Sequence, residues 1–303
     1  MRIVCISDTH SQHTRIRVPA GDVLIHAGDA TNTGSEQEVR AFLAWFAKLP
    51  HAHKILIAGN HDWLFQKNPG KAAELLAAHS GITYLQDSGV EIEGIRFWGS
   101  PWTPVFMDWA FNLPRRGERL KQVWGQVPEG TDVLISHGPP HQILDTVPKS
   151  TFLGCEVLRS RISELRPKLC VFGHIHHSWG AVQAPSTLLI NASICDEKYH
   201  PIHQPIVVDL IDGTAQLCER TDGLNIEAIR RMREGVSSEE QAHLDASRPE
   251  ALLKEMAALR GMDVEALIQE YLRRGIASDL SNLERKAAKA QQKTIPVTAI
   301  SIL

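Results

Sequence analysis

The chain has 303 residues, enough for one large domain, or one domain with a smaller appendage, that buries its core without disulfides or structural metals. Hydrophobic residues make up 43% and charged residues 22%, the balance of a soluble globular protein, and a net charge of −3 gives no global reason to bind nucleic acid or an anionic membrane. The five cysteines are scattered, odd in number and without a C-x-x-C pair, which fits a reducing compartment.

No apolar run reaches the roughly 18 residues of a membrane span. Met1-Arg2 leads straight into strand-like sequence rather than a signal peptide. A cytoplasmic protein is expected.

In chain order, the first elements are two apolar runs, Ile3–Ile6 and Val23–His26. Ser35 and Glu38 then form an S-x-x-E capping box ahead of Val39, Phe42, Leu43 and Phe46, which predicts a helix. Ile55–Ala58 is a third strand-like run, followed by helical sequence over Lys71–His79 and a strand over Glu91–Trp98. Val133–Ile135, a helix over Glu156–Leu165, Leu169–Phe172, Leu188–Ile190 and Ile206–Ile211 complete the series. Asp212-Gly213 is a hairpin-type turn. Runs that are β-branched and apolar without alternation suit strands buried on both faces. The sum is an α/β or α+β layered domain ending near residue 220.

From about Asn225 the composition shifts to Ala, Leu, Glu, Lys and Arg. Leu252, Leu253, Met256 and Leu259 recur at helical spacing. Gly261 interrupts, Asp263 can cap, and Val264, Leu267, Ile268, Tyr271 and Leu272 resume. A helical extension over 223–303 is expected, polar around Lys286–Lys293. The stretch from Ala242 to Ile276 loosely resembles a ribbon-helix-helix module, so these helices are candidates for homo-oligomer formation. Their basic residues are interleaved with acidic ones, which disfavours nucleic acid as a partner.

The strand ends carry the chemistry. The runs lead into Asp8-Thr9-His10, Gly28-Asp29, Gly59-Asn60-His61-Asp62, Ser136-His137-Gly138 and Gly173-His174-Ile175-His176. In open α/β sheets, sites form at the carboxyl ends of strands. Residues two apart in extended chain face the same way, so Asp8 with His10, and His174 with His176, can serve one site. Carboxylates, neutral imidazoles and the Asn60 carbonyl suit divalent metals. Each motif alone is a common turn or loop; five together, each directly after a strand-like run, are not.

This series, in this order, resembles the calcineurin-like metallophosphoesterase superfamily over about residues 1–212. Gly28-Asp29-Ala30-Thr31-Asn32-Thr33-Gly34, Gly99-Ser100-Pro101-Trp102, Phe111-Asn112-Leu113-Pro114-Arg115 and Ile190-Asn191-Ala192-Ser193 are similar to its class III cyclic nucleotide phosphodiesterase-like branch, which includes the metallophosphoesterase-domain proteins of animal brain. The resemblance implies a four-layer α/β/β/α sandwich as a catalytic domain over 1–222. It implies two divalent metal ions, manganese first, with iron or zinc as alternatives. Asp8, His10, Asp29 and His176 would hold one ion; Asp29, Asn60, His137 and His174 would hold the other.

It further implies hydrolysis of a small-molecule phosphodiester such as a cyclic nucleotide. The metals would supply a shared hydroxide, and His61 would act as general acid. A phosphomonoesterase, a nuclease and a non-catalytic binding scaffold on the same fold are the alternatives. Many family members carry G-D-x-x-D, whose second Asp orients the catalytic His; here Asn32 stands in that place, and its amide oxygen is expected to accept the imidazole N–H. Trp63, Trp98, Trp102 and Trp109 are candidates to line the substrate pocket, and Arg115 and Arg116 to contact phosphate.

Overall fold

The computed structural model describes residues 1–147, 151–218 and 263. The helical extension expected over 223–303 thus lies outside the described residues, Asp263 apart.

The apolar runs form strands because each feeds two cores at once. Ile3 and Cys5 of Arg2–Ile6 enter one core, while Val4 and Ile6 enter another. Val23–Ala27 and His53–Ile57 divide likewise: Val23, Ile25, Ala27, Ile55 and Ile57 to one side, Leu24 and Leu56 to the other. Side chains alternate faces along a strand, so an unbroken apolar run is satisfied only when both faces are covered. In Val133–Ser136, Leu169–Phe172 and Leu188–Asn191, Val133, Ile135, Leu169, Val171, Leu188 and Ile190 join the first core. Leu134, Cys170, Phe172 and Leu189 feed a third.

Two six-stranded sheets share that first core. One runs in the order Thr214–Leu217, Ile206–Ile211, Arg2–Ile6, Val23–Ala27, His53–Ile57, Ile82–Tyr84, the last four parallel. The other runs Gly180–Gln183, Leu188–Asn191, Leu169–Phe172, Val133–Ser136, Ile95–Ser100, Ser88–Ile92, with the middle four parallel and the edges antiparallel. Helices Glu36–Ala47 and Pro69–Ala77 cover the outside of the first sheet through Val39, Phe42, Leu43, Phe46, Ala72 and Leu75. Helices Glu118–Gly125 and Glu156–Leu165 cover the second through Leu120, Trp124, Leu158 and Ile162. This is the expected α/β/β/α order. All five cysteines are free and buried. No helix among the described residues is long and apolar enough to cross a membrane.

The Ser35 capping box forms, with Glu38 N–H donating to Ser35 Oγ at 3.3 Å and Ser35 N–H donating to the Glu38 carboxylate at 3.1 Å. Asp212-Gly213 turns the hairpin between Ile206–Ile211 and Thr214–Leu217 with φ of 47° and 76°. One element differs from expectation. Glu91–Trp98 is not a single strand but parts of two, Ser88–Ile92 and Ile95–Ser100, paired antiparallel about Glu93-Gly94. Both turn residues have positive φ, 50° and 78°, the conformation that a two-residue hairpin requires.

A parallel bridge, Ser7 to Ser193, links the chain just past Arg2–Ile6 to the chain just past Leu188–Asn191. The carboxyl ends of both parallel sets therefore open on one place.

Candidate metal centre

All seven residues expected as metal ligands meet there. His10 Nε2 lies 3.2 Å from His176 Nε2, which lies 3.4 Å from Asp8 Oδ1. His137 Nε2 is 2.8 Å from Asn60 Oδ1 and 3.3 Å from Asp29 Oδ2. Asp29 Oδ2 is 3.8 Å from His10 Nε2 and 3.9 Å from His61 Nε2. Three groups each bring donor atoms within 4.8 Å of one another: Asp8, His10 and His176; Asp29, His137 and His174; and, spanning them, His10, Asp29 and His61.

The chain strains to present these groups. Asp8, His10, Asp29 and His174 have left-handed φ of 52°, 42°, 55° and 68°, which costs a non-glycine residue on the order of 1–3 kcal/mol. Main-chain bonds from Asp8 N–H to Gly28 O (2.9 Å) and His10 N–H to Asp29 O (3.1 Å) hold the turns. The Asp8 carboxylate is fixed by His174 N–H at 3.0 Å and by Ser193 Oγ at 2.9 Å. Gly173 has to be glycine, because a Cβ there would fall on the Asp8 carboxylate.

The donor set fits divalent cations. His137 Nδ1 lies 3.0 Å from Ala27 O and His176 Nδ1 lies 2.8 Å from Asp196 O. Each carbonyl takes the Nδ1 proton, leaving Nε2 to face the carboxylates as a metal ligand does. Burial opposes ionisation of the Asp29 carboxyl, but the charges of His137 and His61 hold its pKa well below the usual range. Burial likewise opposes charge on His137, and Asp29 outweighs it, lifting that pKa to about 9. Burial and the His137 charge push His174 down to about 3. Buried carboxylates that hold protons on neighbouring imidazoles attract a divalent cation in competition with those protons.

His61 sits beside this cluster, and its support differs from expectation. Nδ1 lies 2.7 Å from the main-chain oxygen of Asn32, while the Asn32 residue itself is exposed. The acceptor is a peptide carbonyl, not the Asn32 side-chain amide. Burial lowers the His61 pKa, and the Asp29 charge and the Asn32 carbonyl oppose that shift.

The family model for calcineurin-like phosphoesterase matches residues 1–178. The chain belongs to that family. Metallophosphoesterase domain-containing protein 1 of Homo sapiens is 43% identical over 231 residues, covering 69% of this chain and 71% of that protein. UPF0046 protein K07C11.7 of Caenorhabditis elegans is 38% identical over 219 residues, covering 68% and 74%. The crystal structure of TT1561 of Thermus thermophilus aligns with a TM-score of 0.50 at 12% identity, over 72% of this chain and 97% of that one; the likeness is one of fold. Calcineurin-like phosphoesterases are metal-dependent hydrolases of phosphoric esters built around two divalent cations, and the three donor groups agree with that class.

Around the phosphoesterase centre, several side chains do other work than the sequence suggested. The Arg115 guanidinium donates to Leu153 O and Gly154 O, both at 2.6 Å, and to Glu156 at 3.0 Å, clamping the start of helix Glu156–Leu165. Trp102 donates its Nε1–H to Asp87 Oδ2 at 2.8 Å and packs edge-on against Phe111, at the margin of the core. Trp109 does reach the site, its ring 4.1 Å from the His61 ring.

Three further residues support the site in ways that the sequence alone does not assign. Tyr199 packs 4.5 Å from His10 and 5.7 Å from His176. Asn191, besides accepting from Ser193 Oγ, donates to Ile175 O at 2.8 Å between the two histidines of G-H-I-H. Asp62 braces the loops from below. It is fully buried and accepts from Gly59 N, Ala30 N, Thr31 N and Thr31 Oγ1 at 2.7–3.2 Å.

Proposed function

We propose that this phosphoesterase hydrolyses small-molecule phosphodiesters, with cyclic nucleotides the first class to test. Asp8, His10, Asp29 and His176 would hold one cation, and Asp29, Asn60, His137 and His174 the other, with Asp29 shared. Manganese suits the mixed nitrogen and oxygen donors, as do iron and zinc. When bound, the cations neutralise phosphate oxygens and make water acidic enough to attack at neutral pH.

His61 is the general acid in this reading. Its Nδ1–H is engaged by the Asn32 carbonyl, so Nε2, near Asp29, is the atom that gives a proton to the leaving oxygen. Asp29 supports the reading because it stands within 4 Å of His10, His61 and His137 at once. A diester fits better than a monoester for a reason of charge. A diester carries one negative charge and a second substituent, a monoester two charges. The rings beside His61 are those of Trp109 and Tyr199, and Arg115 is committed elsewhere.

Hydrolysis of bis-p-nitrophenyl phosphate and p-nitrophenyl phosphate by manganese-loaded protein tests this. A diester rate well above the monoester rate supports the reading. A monoester preference makes the chain a phosphatase, and metal-loaded protein inert on both would make it a scaffold.

A further inference from the structure

We propose that Glu38 is a positioning residue for His61, acting through the peptide that joins Asn32 to Thr33. The inference rests on the general-acid role given to His61 above. Glu38 is the third residue of helix Glu36–Ala47 and closes its capping box, which by itself asks only that the carboxylate accept from Ser35 N–H. The carboxylate does much more. Oε1 accepts from Asn32 N–H at 3.1 Å and Ser11 Oγ at 3.2 Å. Oε2 accepts from Thr33 N–H at 3.2 Å, from Thr33 Oγ1, and from Ser35 Oγ at 2.8 Å. Ser11 adjoins His10, so one helix-borne carboxylate gathers two of the loops that make the site.

The decisive geometry is in a single peptide plane. The N–H of Thr33 points at the Glu38 carboxylate, and the carbonyl of the same peptide, that of Asn32, lies 2.7 Å from His61 Nδ1. A negative charge at the N–H end of a peptide polarises it and makes its oxygen a stronger acceptor, since hydrogen bonds in a chain reinforce one another. Glu38 is held as the anion: burial works against it, and the bonds from Thr33 and Ser35 outweigh burial. Instead of setting a carboxylate directly against the imidazole, this chain sets it one peptide away. The arrangement holds the His61 ring by Nδ1 and leaves Nε2 as the atom free to face the leaving group.

The test uses the full-length, manganese-loaded chain and two substrates, methyl 4-nitrophenyl phosphate with a good leaving group and methyl phenyl phosphate with a poor one. A lost general acid slows the poor leaving group more. His61→Ala is the reference and should lower kcat on the phenyl ester by about 100-fold, with a much smaller loss on the nitrophenyl ester. Glu38→Ala should show the same selectivity at about tenfold, the effect of one weakened hydrogen bond, with metal content unchanged. Glu38→Gln keeps the shape and an acceptor oxygen but loses the charge, and should show the same preference at smaller size. Ser35→Ala opens the helix cap and removes one donor to Glu38, and should lower the thermal midpoint while moving the ratio of the two rates less than either Glu38 variant does.

The proposal is overturned if Glu38→Ala and Glu38→Gln leave that ratio at the wild-type value, or if Ser35→Ala shifts it as far as they do. If His61→Ala itself shows no leaving-group preference, the acid role fails first and the relay falls with it.

Discussion

Asp62→Ala tests how the loops of the site are held. Asp62 is fully buried and takes four hydrogen bonds from two segments: Gly59 N–H at 2.9 Å, and Ala30 N–H at 3.2 Å, Thr31 N–H at 3.0 Å and Thr31 Oγ1 at 2.7 Å. With alanine there, the hydroxyl can still donate to His61 O, 3.4 Å away, but three main-chain N–H groups lose their acceptor. At about 2 kcal/mol for each buried donor left unsatisfied, the gross loss is about 6 kcal/mol. Part is returned. Burial and the Asp29 charge raise the Asp62 pKa from 3.8 to about 7, so the buried anion costs about 4 kcal/mol at alkaline pH. The net loss expected at pH 8 is about 2–3 kcal/mol. Urea unfolding of EDTA-treated protein at pH 8, followed by tryptophan fluorescence, measures it. Because the freed segments carry Asp29 and Asn60, manganese affinity should fall as well. A variant as stable as wild type, or more so, would refute this account of the loops.

Gly173→Ala puts a Cβ onto the Asp8 carboxylate and Ser7 Oγ; it should cut bound manganese sharply by plasma mass spectrometry, and full loading would contradict the close approach. Asp145 is buried, with Oδ2 accepting from Gln142 N–H and Gly154 N–H and lying 3.8 Å from His141, and burial pushes its pKa from 3.8 up to about 6. The folded state therefore binds this proton more tightly than the unfolded chain does. The stabilisation is complete below about pH 4 and is lost, about 3 kcal/mol in all, as pH rises to 6. Asp145→Asn should gain on wild type in thermal midpoint between pH 4 and pH 7, and a difference independent of pH would rule the shift out. Arg115→Ala should lose about 1–3 kcal/mol of stability through its bonds to Leu153 O, Gly154 O and Glu156 while KM for bis-p-nitrophenyl phosphate stays put; a large rise in KM would return Arg115 to the substrate.

What the sequence revealed and what it hid follow from the range of the interactions. Strands such as Leu169–Phe172 were legible because burial on both faces leaves an unbroken apolar run. The candidate ligands were legible because each follows its strand within a few residues, so one-dimensional spacing stands in for three-dimensional convergence. The hairpin at Glu93-Gly94 was hidden because glutamate is not a usual first residue of such a turn. The clamp made by Arg115 was hidden because its partners lie 38–41 residues away and only the fold brings them close. Asn32 was found at the right position with the wrong atom, since side-chain identity says nothing about a bond made by the main chain. The same blindness hid Glu38, whose cap was visible but whose hold on the Asn32–Thr33 peptide was not. Tyr199 reaches the histidines from a loop with positive φ, 61°, that no periodicity marks.

The most direct test of the central claim measures, side by side, manganese content and bis-p-nitrophenyl phosphate hydrolysis in wild type and Asp29→Ala. Asp29 Oδ2 lies 3.8 Å from His10 Nε2 and 3.3 Å from His137 Nε2, one from each proposed cation position, so its loss should empty both. Wild type should carry about two manganese ions per chain and hydrolyse the diester, and Asp29→Ala should lose metal and activity together. Asp29→Ala that kept both ions and the wild-type rate would contradict the account.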